Sequence, residues 1–408
     1  MLRPVNAVRA GRQNRVVILD AVQRRGAISR SQLVTTTGLT PATITNAVRE
    51  LIELRLLRPT GTLVPRPPAT AGAPSELVGL DTAWHRVLSV HQGVSLIRLG
   101  LHDIAGRVLA AEEIPTVPAQ GPDRTLQSIA AGLRLLVGRE GIERDQVRGV
   151  GVGAVGLVEP DRGVVRIAPN LGWTEVPIRE WLEAALGWPV VVRNNVHGMA
   201  AGEVRFAGVP EEDAVYTYVG TGIGSGIIIG GRVRDGAHGA AGEIGHLVVP
   251  GGSRCACGKV GCLETIAAEP AIVRRAGATL GEWPAGAHKA ATGRLVELAL
   301  SGQAGAQAHL GDVAESLGLA LAQAVEILDP GAVILNGIIA EAGDLVLGPL
   351  GTSLHRSAFA VRGRRVAVRA ARFGRQAGMV GAATLALEAW VYHPQADLFT
   401  ERALSVVR

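Results

Sequence analysis

The sequence predicts an α/β protein in which a small winged helix-turn-helix precedes a larger α/β body. Three observations carry this. Residues 1–70 hold eleven arginines against Asp20, Glu50 and Glu53, a net +8, whereas the whole chain of 408 residues carries only +5. Helix caps and an apolar stripe recur at helix-turn-helix spacing inside that basic head. Beyond Arg86, apolar β-rich runs alternate with helical stretches, as α/β lobes require.

In the head, Asn14–Arg25 carries Ile18, Ala21 and Val22 at helical spacing and ends before Gly26. Ser29 opens a capping box with Gln32, and the short helix that follows, through Leu33, stops at Gly38. Thr40 is an N-cap, and Pro41 sits at the first helical position, where its missing N–H is no loss. Ile44, Ala47, Val48 and Leu51 then form one apolar stripe. The other face shows Ala42, Thr43, Thr45, Asn46 and Arg49, residue types that contact base edges in a major groove, with Arg49 long enough for guanine or phosphate. Leu56–Thr62 and Glu76–Leu80 read as the strands of a wing. Ser31, Arg58 and Arg66 complete the candidate DNA-binding set. The plainer readings are a three-helix packing unit and a solvated arginine-rich tail; the agreement of spacing, caps and charge favours a nucleic-acid partner. Pro65, Pro67, Pro68 and Pro74 mark an irregular wing tip or linker, so the head and its linker span 1–78.

Composition narrows the rest. The length suits two or three domains. Three cysteines rule out a disulfide-stapled secreted scaffold, and the N-terminus lacks the apolar core of a signal peptide. No uncharged apolar run approaches the ~18 residues a bilayer crossing needs. The expectation is a cytoplasmic protein with no membrane partner. In the body, residues 87–101 are apolar and β-rich, Gly106 marks a turn, a helix lies near Thr125–Gly138, and Val147–Gly153 is an apolar strand. No short-period repeat is visible.

The sharpest chemical signal is Gly242-Glu243-Ile244-Gly245-His246 followed by Cys255-Ala256-Cys257-Gly258-Lys259-Val260-Gly261-Cys262-Leu263-Glu264. All three cysteines of the chain lie in this stretch. With His246 they complete the three-thiolate, one-imidazole shell of a structural Zn2+, one per chain, and the glycines at 251, 252, 258 and 261 let the backbone wrap an ion. The alternative is three buried cysteines without metal.

These residues also carry a resemblance. The stretch from Asp235-Gly236 through Gly239 to Glu264 is close to the signature of the ROK proteins, a family of sugar-responsive repressors and bacterial sugar kinases. Ala168-Pro169-Asn170-Leu171-Gly172-Trp173 and Val219-Gly220-Thr221-Gly222-Ile223-Gly224-Ser225-Gly226 match it further, and the resemblance covers nearly the whole chain. It implies two actin-like (ribonuclease H-like) α/β lobes with a sugar in the cleft: residues 79–200, with 381–408 returning through a helix near Ala382–Val391, and residues 201–380. It implies a sugar-binding set of Asn170, Asn194, Asn195, Glu243, His246 and Glu264, with His246 touching sugar through one ring nitrogen and zinc through the other. Each of these has a local alternative: Asn170 as a turn cap, Glu243 as an arginine partner, Glu264 as a helix cap.

By the same resemblance, a ROK kinase uses an aspartate as general base at the position of Asn195, and an amide has no usable basic form near neutral pH. The first phosphate loop corresponds to His91-Gln92-Gly93-Val94-Ser95, where His91 replaces an acid and Val94 adds bulk. Leu335-Asn336-Gly337-Ile338 departs from a later glycine run, and only Gly220–Gly226 is kept. Arg193 beside the asparagine pair allows for an anionic ligand, although a surface arginine is the plainer reading. The expectation is a non-enzymatic repressor of carbohydrate-metabolism genes. It would bind double-stranded operator DNA as a homodimer or higher homo-oligomer and respond to a sugar or sugar derivative. The alternative is an active sugar kinase.

Overall fold

The computed structural model describes residues 7–64, 75–281, 283–284 and 286–399. Helices α1 (Ala7–Arg25), α2 (Arg30–Thr37) and α3 (Pro41–Glu53) form the head with strands β1 (Ile28–Ser29), β2 (Leu57–Val64) and β3 (Ser75–Leu80). The Ser29 hydroxyl accepts the Gln32 N–H while the Gln32 side chain accepts the Ser29 N–H, so two orphan donors of α2 are satisfied reciprocally. Gly38 closes α2 at φ +70°, donating to the Val34 carbonyl. Thr40 caps α3 ahead of Pro41, and Ile44, Ala47, Val48 and Leu51 are buried as the stripe requires. Helix α1 starts at Ala7 rather than Asn14, because Arg9, Gly11 and Arg12 leave its first turns without an apolar stripe to read. Strand β1 is too short for any periodicity, yet Ile28 and Ser29 pair with Val78 and Leu77 and add a third strand to the wing sheet. Arg66 and Pro65, Pro67, Pro68 and Pro74 lie outside the described residues.

The body begins with β4 (Arg86–Gln92), β5 (Leu96–Asp103), β6 (Val108–Pro115), α4 (Gly121–Arg139) and β7 (Val147–Ala154). A small antiparallel sheet of β8 (Leu157–Glu159), β9 (Val164–Ala168) and β10 (Trp173–Val176) follows, then α5 (Ile178–Leu186), β11 (Val190–Asn194) and α6 (Asn195–Phe206). The second lobe contains β12 (Ala214–Val219), β13 (Ile223–Ile229), β14 (Arg232–Arg234), α7 (Glu264–Ala267), α8 (Glu269–Arg275), α9 (Gly277–Leu280), α10 (His288–Leu300) and α11 (Ala304–Leu328). It is completed by β15 (Ala332–Gly337), α12 (Asp344–Ser357) and β16 (Ala367–Ala370), after which α13 (Ala377–Trp390) returns to the first lobe.

The two large sheets share one topology. Their strand orders are β11-β7-β4-β5-β6 and β14-β13-β12-β15-β16. In each, the first strand is central, the next two form an antiparallel meander on one side, and the last two add in parallel on the other. This duplication builds the two actin-like lobes. It is invisible as a sequence repeat because strand pairing asks only for alternating apolar patterns, which many sequences satisfy.

Helices α6 and α13 pack together between the sheets. A Cβ at Gly381 would lie 2.5 Å from the Gly198 carbonyl carbon, and one at Gly151 of β7 would lie 1.8 Å from the Ala382 oxygen, so glycine alone permits this approach. Helix α13 begins at Ala377, ahead of the expected Ala382. It is buried on most sides, which leaves no amphipathic edge from which to read its start.

Head and body share a core. Ile18, Leu19, Val22, Ile44, Leu51 and Val78 join Val87 and Ile104 of the first lobe and Leu387, Val391, Tyr392, Leu398 and Phe399 from the C-terminal segment in one apolar cluster. Residues beyond α13 therefore pack under the head as well as against the first lobe. His85, at the junction, is buried with Nε2 2.8 Å from the Leu54 carbonyl. Among the described residues, no helix is long and apolar enough to cross a membrane.

Candidate functional site

Ala42, Thr45, Asn46 and Arg49 are exposed on one face of α3, opposite its buried stripe; Thr43 is half-buried. The Thr45 hydroxyl donates back to the Pro41 carbonyl at 2.9 Å, and the Thr43 hydroxyl is 2.9 Å from that of Thr40. Among the described residues Arg49 makes only a long 3.5 Å hydrogen bond to the Asn46 amide oxygen, so most of its guanidinium donors find no partner there. Ser31 is exposed at the start of α2, its hydroxyl 2.9 Å from that of Ser29, and Arg58 is exposed on β2.

The carbohydrate candidates gather around the N-terminus of α6. Asn194 ends β11 and caps α6: its Oδ1 accepts the N–H groups of Val196 and His197 at 2.8 and 3.3 Å, and its Nδ2 donates to the Gly156 carbonyl at 3.0 Å. Most of its hydrogen-bonding capacity is thus structural, while Asn195, the first helical residue, accepts only its neighbour's N–H, at 3.0 Å, among the described residues. Glu243 and His246 share one helical turn, with Oε2 and Nε2 3.8 Å apart. Glu243 pairs with no arginine among the described residues. It is half-exposed, yet burial within the cleft pushes its carboxyl pKa upward, opposed by His246 and His197 and reinforced by Glu264. Glu264 opens α7, and its Oε2 accepts the Ile223 N–H at 3.0 Å. A Cβ at Gly222 would sit 2.6 Å from that oxygen, so a glycine of the 220–226 run makes room for Glu264. Asn170 stands exposed on the turn Pro169–Leu171, and no hydrogen bond among the described residues ties its side chain to the other five.

Two residues without an assigned role in the sequence reading hold this arrangement. His197 is buried, with Nε2 2.9 Å from the Ala241 carbonyl and Nδ1 3.1 Å from Asp235. Asp235 in turn receives Arg193 at 2.5 Å, so Arg193 is engaged inside the protein and is not a free surface cation. Burial pushes the Asp235 carboxyl up, but the hydrogen bonds and charges of His197 and Arg193 outweigh it and hold the pKa below its ordinary value. The loop bearing Glu243 and His246 is thereby clipped to the first turn of α6. The Asp235-Gly236 pair that opens the signature was the available signal.

His246, Cys255, Cys257 and Cys262 converge, with one candidate ligand atom from each lying within 4.8 Å of the others. His246 Nδ1 is 3.7 Å from Cys255 Sγ, and the sulfurs of Cys257 and Cys262 are 3.6 Å apart. Ligands held at ~2.3 Å in a tetrahedron are separated by ~3.8 Å, so the donor set fits one tetrahedral metal ion. Antiparallel bridges between Val248 and Cys262 and between Arg254 and Val260 shape the loop, and Lys259 Nζ donates to the His246 carbonyl at 2.9 Å. The imidazole turns Nδ1 to the sulfurs and Nε2 to Glu243.

A pocket of the interlobe cleft is lined by His91, Arg98, Tyr218, Glu269, Lys289 and Gly337, among others. His91 is buried, and burial, with help from Arg98 and Lys289, pushes its pKa down to about 4, so the ring is neutral near pH 7. Glu269, also buried, is pushed up to about 7 by burial, with Lys289 opposing. Asn336 is occupied internally, donating to the Tyr216 hydroxyl at 2.7 Å and accepting the Gly337 N–H at 2.8 Å. Gly224 and Gly226 sit on an antiparallel hairpin, where a Cβ would meet Val196 and Ala200 of α6 at 2.8 and 2.5 Å; these glycines serve helix packing.

Comparison with known proteins places these sites in a family. Residues 87–389 match the ROK family. The chain is 36% identical over 319 residues to a glucokinase of Streptomyces coelicolor, covering 74% of this chain and 97% of the relative. It is 28% identical over 397 residues to a putative xylose repressor of a Caldicellulosiruptor species, covering 93% and 97%. Among solved structures, a ROK family transcriptional regulator described as a homologue of the E. coli MLC protein superposes with a TM-score of 0.74 at 26% identity, covering 93% of this chain and 97% of that one. The glucokinase match covers about three quarters of this chain, whereas both regulator matches extend over nearly its full length. With its signature loop, duplicated lobes and family match in agreement, this chain belongs to the ROK family.

Proposed function

We propose that this chain is a sugar-responsive transcriptional repressor whose head binds double-stranded operator DNA and whose cleft binds a carbohydrate. The observation that carries the reading is the joining of two unlike parts: an α3 face of Ala42, Thr45, Asn46 and Arg49 shares one apolar core with a sugar-kinase-like body. Ser31, Thr43 and Arg58 flank the DNA face, with Arg66 assigned to it from the sequence alone. In the cleft, Asn195, Glu243, His246 and Glu264 offer acceptors and donors for adjacent hydroxyls, Asn194 contributes its remaining amide hydrogen, and Asn170 extends the set as a residue that reaches the ligand on cleft closure. The four residues His246, Cys255, Cys257 and Cys262 hold one Zn2+ per chain, which fixes the loop and orients the imidazole toward the sugar. The repressor acts as a homodimer or higher homo-oligomer, because two recognition helices must match two half-sites. Ligand changes operator affinity only through unequal binding to the two lobe arrangements.

The likeness to a glucokinase favours a second reading, an active sugar kinase. Asn195 speaks against it, since an amide has no basic form near neutral pH. Coupled ADP release with D-glucose, D-xylose and N-acetyl-D-glucosamine distinguishes the two readings. The repressor reading predicts no turnover; turnover that vanishes in Asn195→Ala establishes the kinase. Sugar binding is tested by calorimetry on the full chain with the same panel. One of these sugars should bind, and Glu264→Gln should weaken it about 10- to 100-fold, the range for a hydrogen bond to a charged acceptor. Equal affinity in wild type and variant removes Glu264 from the sugar site.

A further inference from the structure

Helix α6 touches both functional ends of the molecule. Its N-terminus carries Asn194 and Asn195 and is clipped by His197 to the loop of Glu243 and His246. Twelve residues of helix, ~18 Å at ~1.5 Å per residue, separate this point from its far end. There Arg205 Nη2 lies 2.5 Å from Oδ1 of Asp20, on α1 of the head. The neighbouring Phe206 packs against the apolar cluster shared by head and body.

The contact is built to transmit position. The Arg205 side chain is only 10% exposed, and its guanidinium lies 3.7 Å over the ring of Tyr392, whose hydroxyl donates to the Ile104 carbonyl at 2.6 Å. The Glu388 carboxyl of α13 also feels Arg205, which opposes the upward push that burial gives its pKa. In its middle turn α6 lies close against α13, where Gly198 and Gly202 face the backbone of Gly381 and the side chains of Leu385 and Val380. Helix α13 runs in the same sense, from Gly378 against His91 in the cleft to Leu387 in the head cluster. A displacement of the α6 N-terminus would reach Asp20 through these packed elements, and α1 is the helix against which α3 packs. Arg15 of α1 also pairs with Glu50 of α3.

We infer that α6 couples the cleft to the head, and that Arg205, through Asp20, is the positioning residue by which sugar occupancy sets the orientation of the DNA-binding helices. The inference rests on the sugar-responsive reading. Its test is a thermodynamic cycle on the full chain. Operator affinity is measured on a sequence recovered by selection from random DNA, with and without saturating D-glucose, D-xylose or N-acetyl-D-glucosamine; sugar affinity is measured with and without that DNA. In the wild type the active sugar shifts operator affinity by about 5- to 150-fold, and DNA shifts sugar affinity by the same factor. Arg205→Gln brings both factors close to one while leaving the affinity for each ligand alone near its wild-type value. Asp20→Asn, made on the half-buried side of the pair, does the same and carries the test should Arg205→Gln fail to fold. Wild-type coupling in either folded variant overturns the inference. A wild-type chain that binds its operator equally with every sugar refutes the sugar-responsive reading, and the coupling role with it.

Discussion

Replacing Cys262 with serine is expected to strip the chain of zinc and to abolish its response to sugar. Cys262 is fully buried, its sulfur 3.6 Å from that of Cys257, and its backbone bridges Val248 to close the loop. A hydroxyl is a poor zinc ligand, and the three donors left behind cannot close a tetrahedral shell. Zinc binding in small structural sites is worth on the order of 10 kcal/mol at neutral pH, so its loss should unfold the 247–262 loop and lower the melting temperature. His246 then loses the partner that turns its Nε2 toward Glu243. Elemental analysis should find about one zinc per wild-type chain and almost none in Cys262→Ser, while the head, whose shared core contains no residue of the 247–262 loop, keeps affinity for DNA. Because thiolates and neutral imidazole bind the metal, acid should release it. A metal-free wild-type protein of undiminished stability would contradict this assignment.

Glu269→Gln is expected to stabilise the protein, and only at higher pH. The carboxyl is buried beside the cleft pocket, and burial raises its pKa from 4.5 to about 7, with Lys289 opposing. The folded state therefore holds this proton more tightly than the unfolded state. Native stability falls as pH rises from about 4.5 through about 7, and above that range the ionised group costs roughly 3 kcal/mol. Glutamine removes that cost without changing the shape. The variant should match wild type below about pH 4.5 and exceed it in melting temperature above pH 7. Identical pH–stability profiles would mean that Glu269 carries its charge in contact with water.

The head was readable almost residue by residue because its signals are local. A capping box spans four positions, Gly38 ends a helix by itself, and the stripe from Ile44 to Leu51 lies within two turns. The metal cluster was readable for the same reason, since its three cysteines sit in one short loop. What escaped depends on contacts distant in sequence. Strand β1 exists because Val78 lies beside it. The start of α13 is hidden by burial on nearly every side, and the shared core needs Phe399 to meet α1. Asn194 and Asn195 look alike in sequence, but one spends its amide capping α6 and the other does not. Arg193 reads as a surface cation until Asp235, forty-two positions on, is brought against it. Glu269 and Lys289 face one pocket across a fold that no local pattern announces.

The central claim, that one chain couples a DNA-reading head to a carbohydrate cleft, is tested most directly by selecting sequences from a random DNA pool with the full chain. The selection is run with and without D-glucose, D-xylose and N-acetyl-D-glucosamine. The account predicts recovery of a palindrome whose enrichment changes when one of these sugars is present, with affinity falling steeply as salt rises. Failure to enrich any sequence, even at low salt, would contradict it.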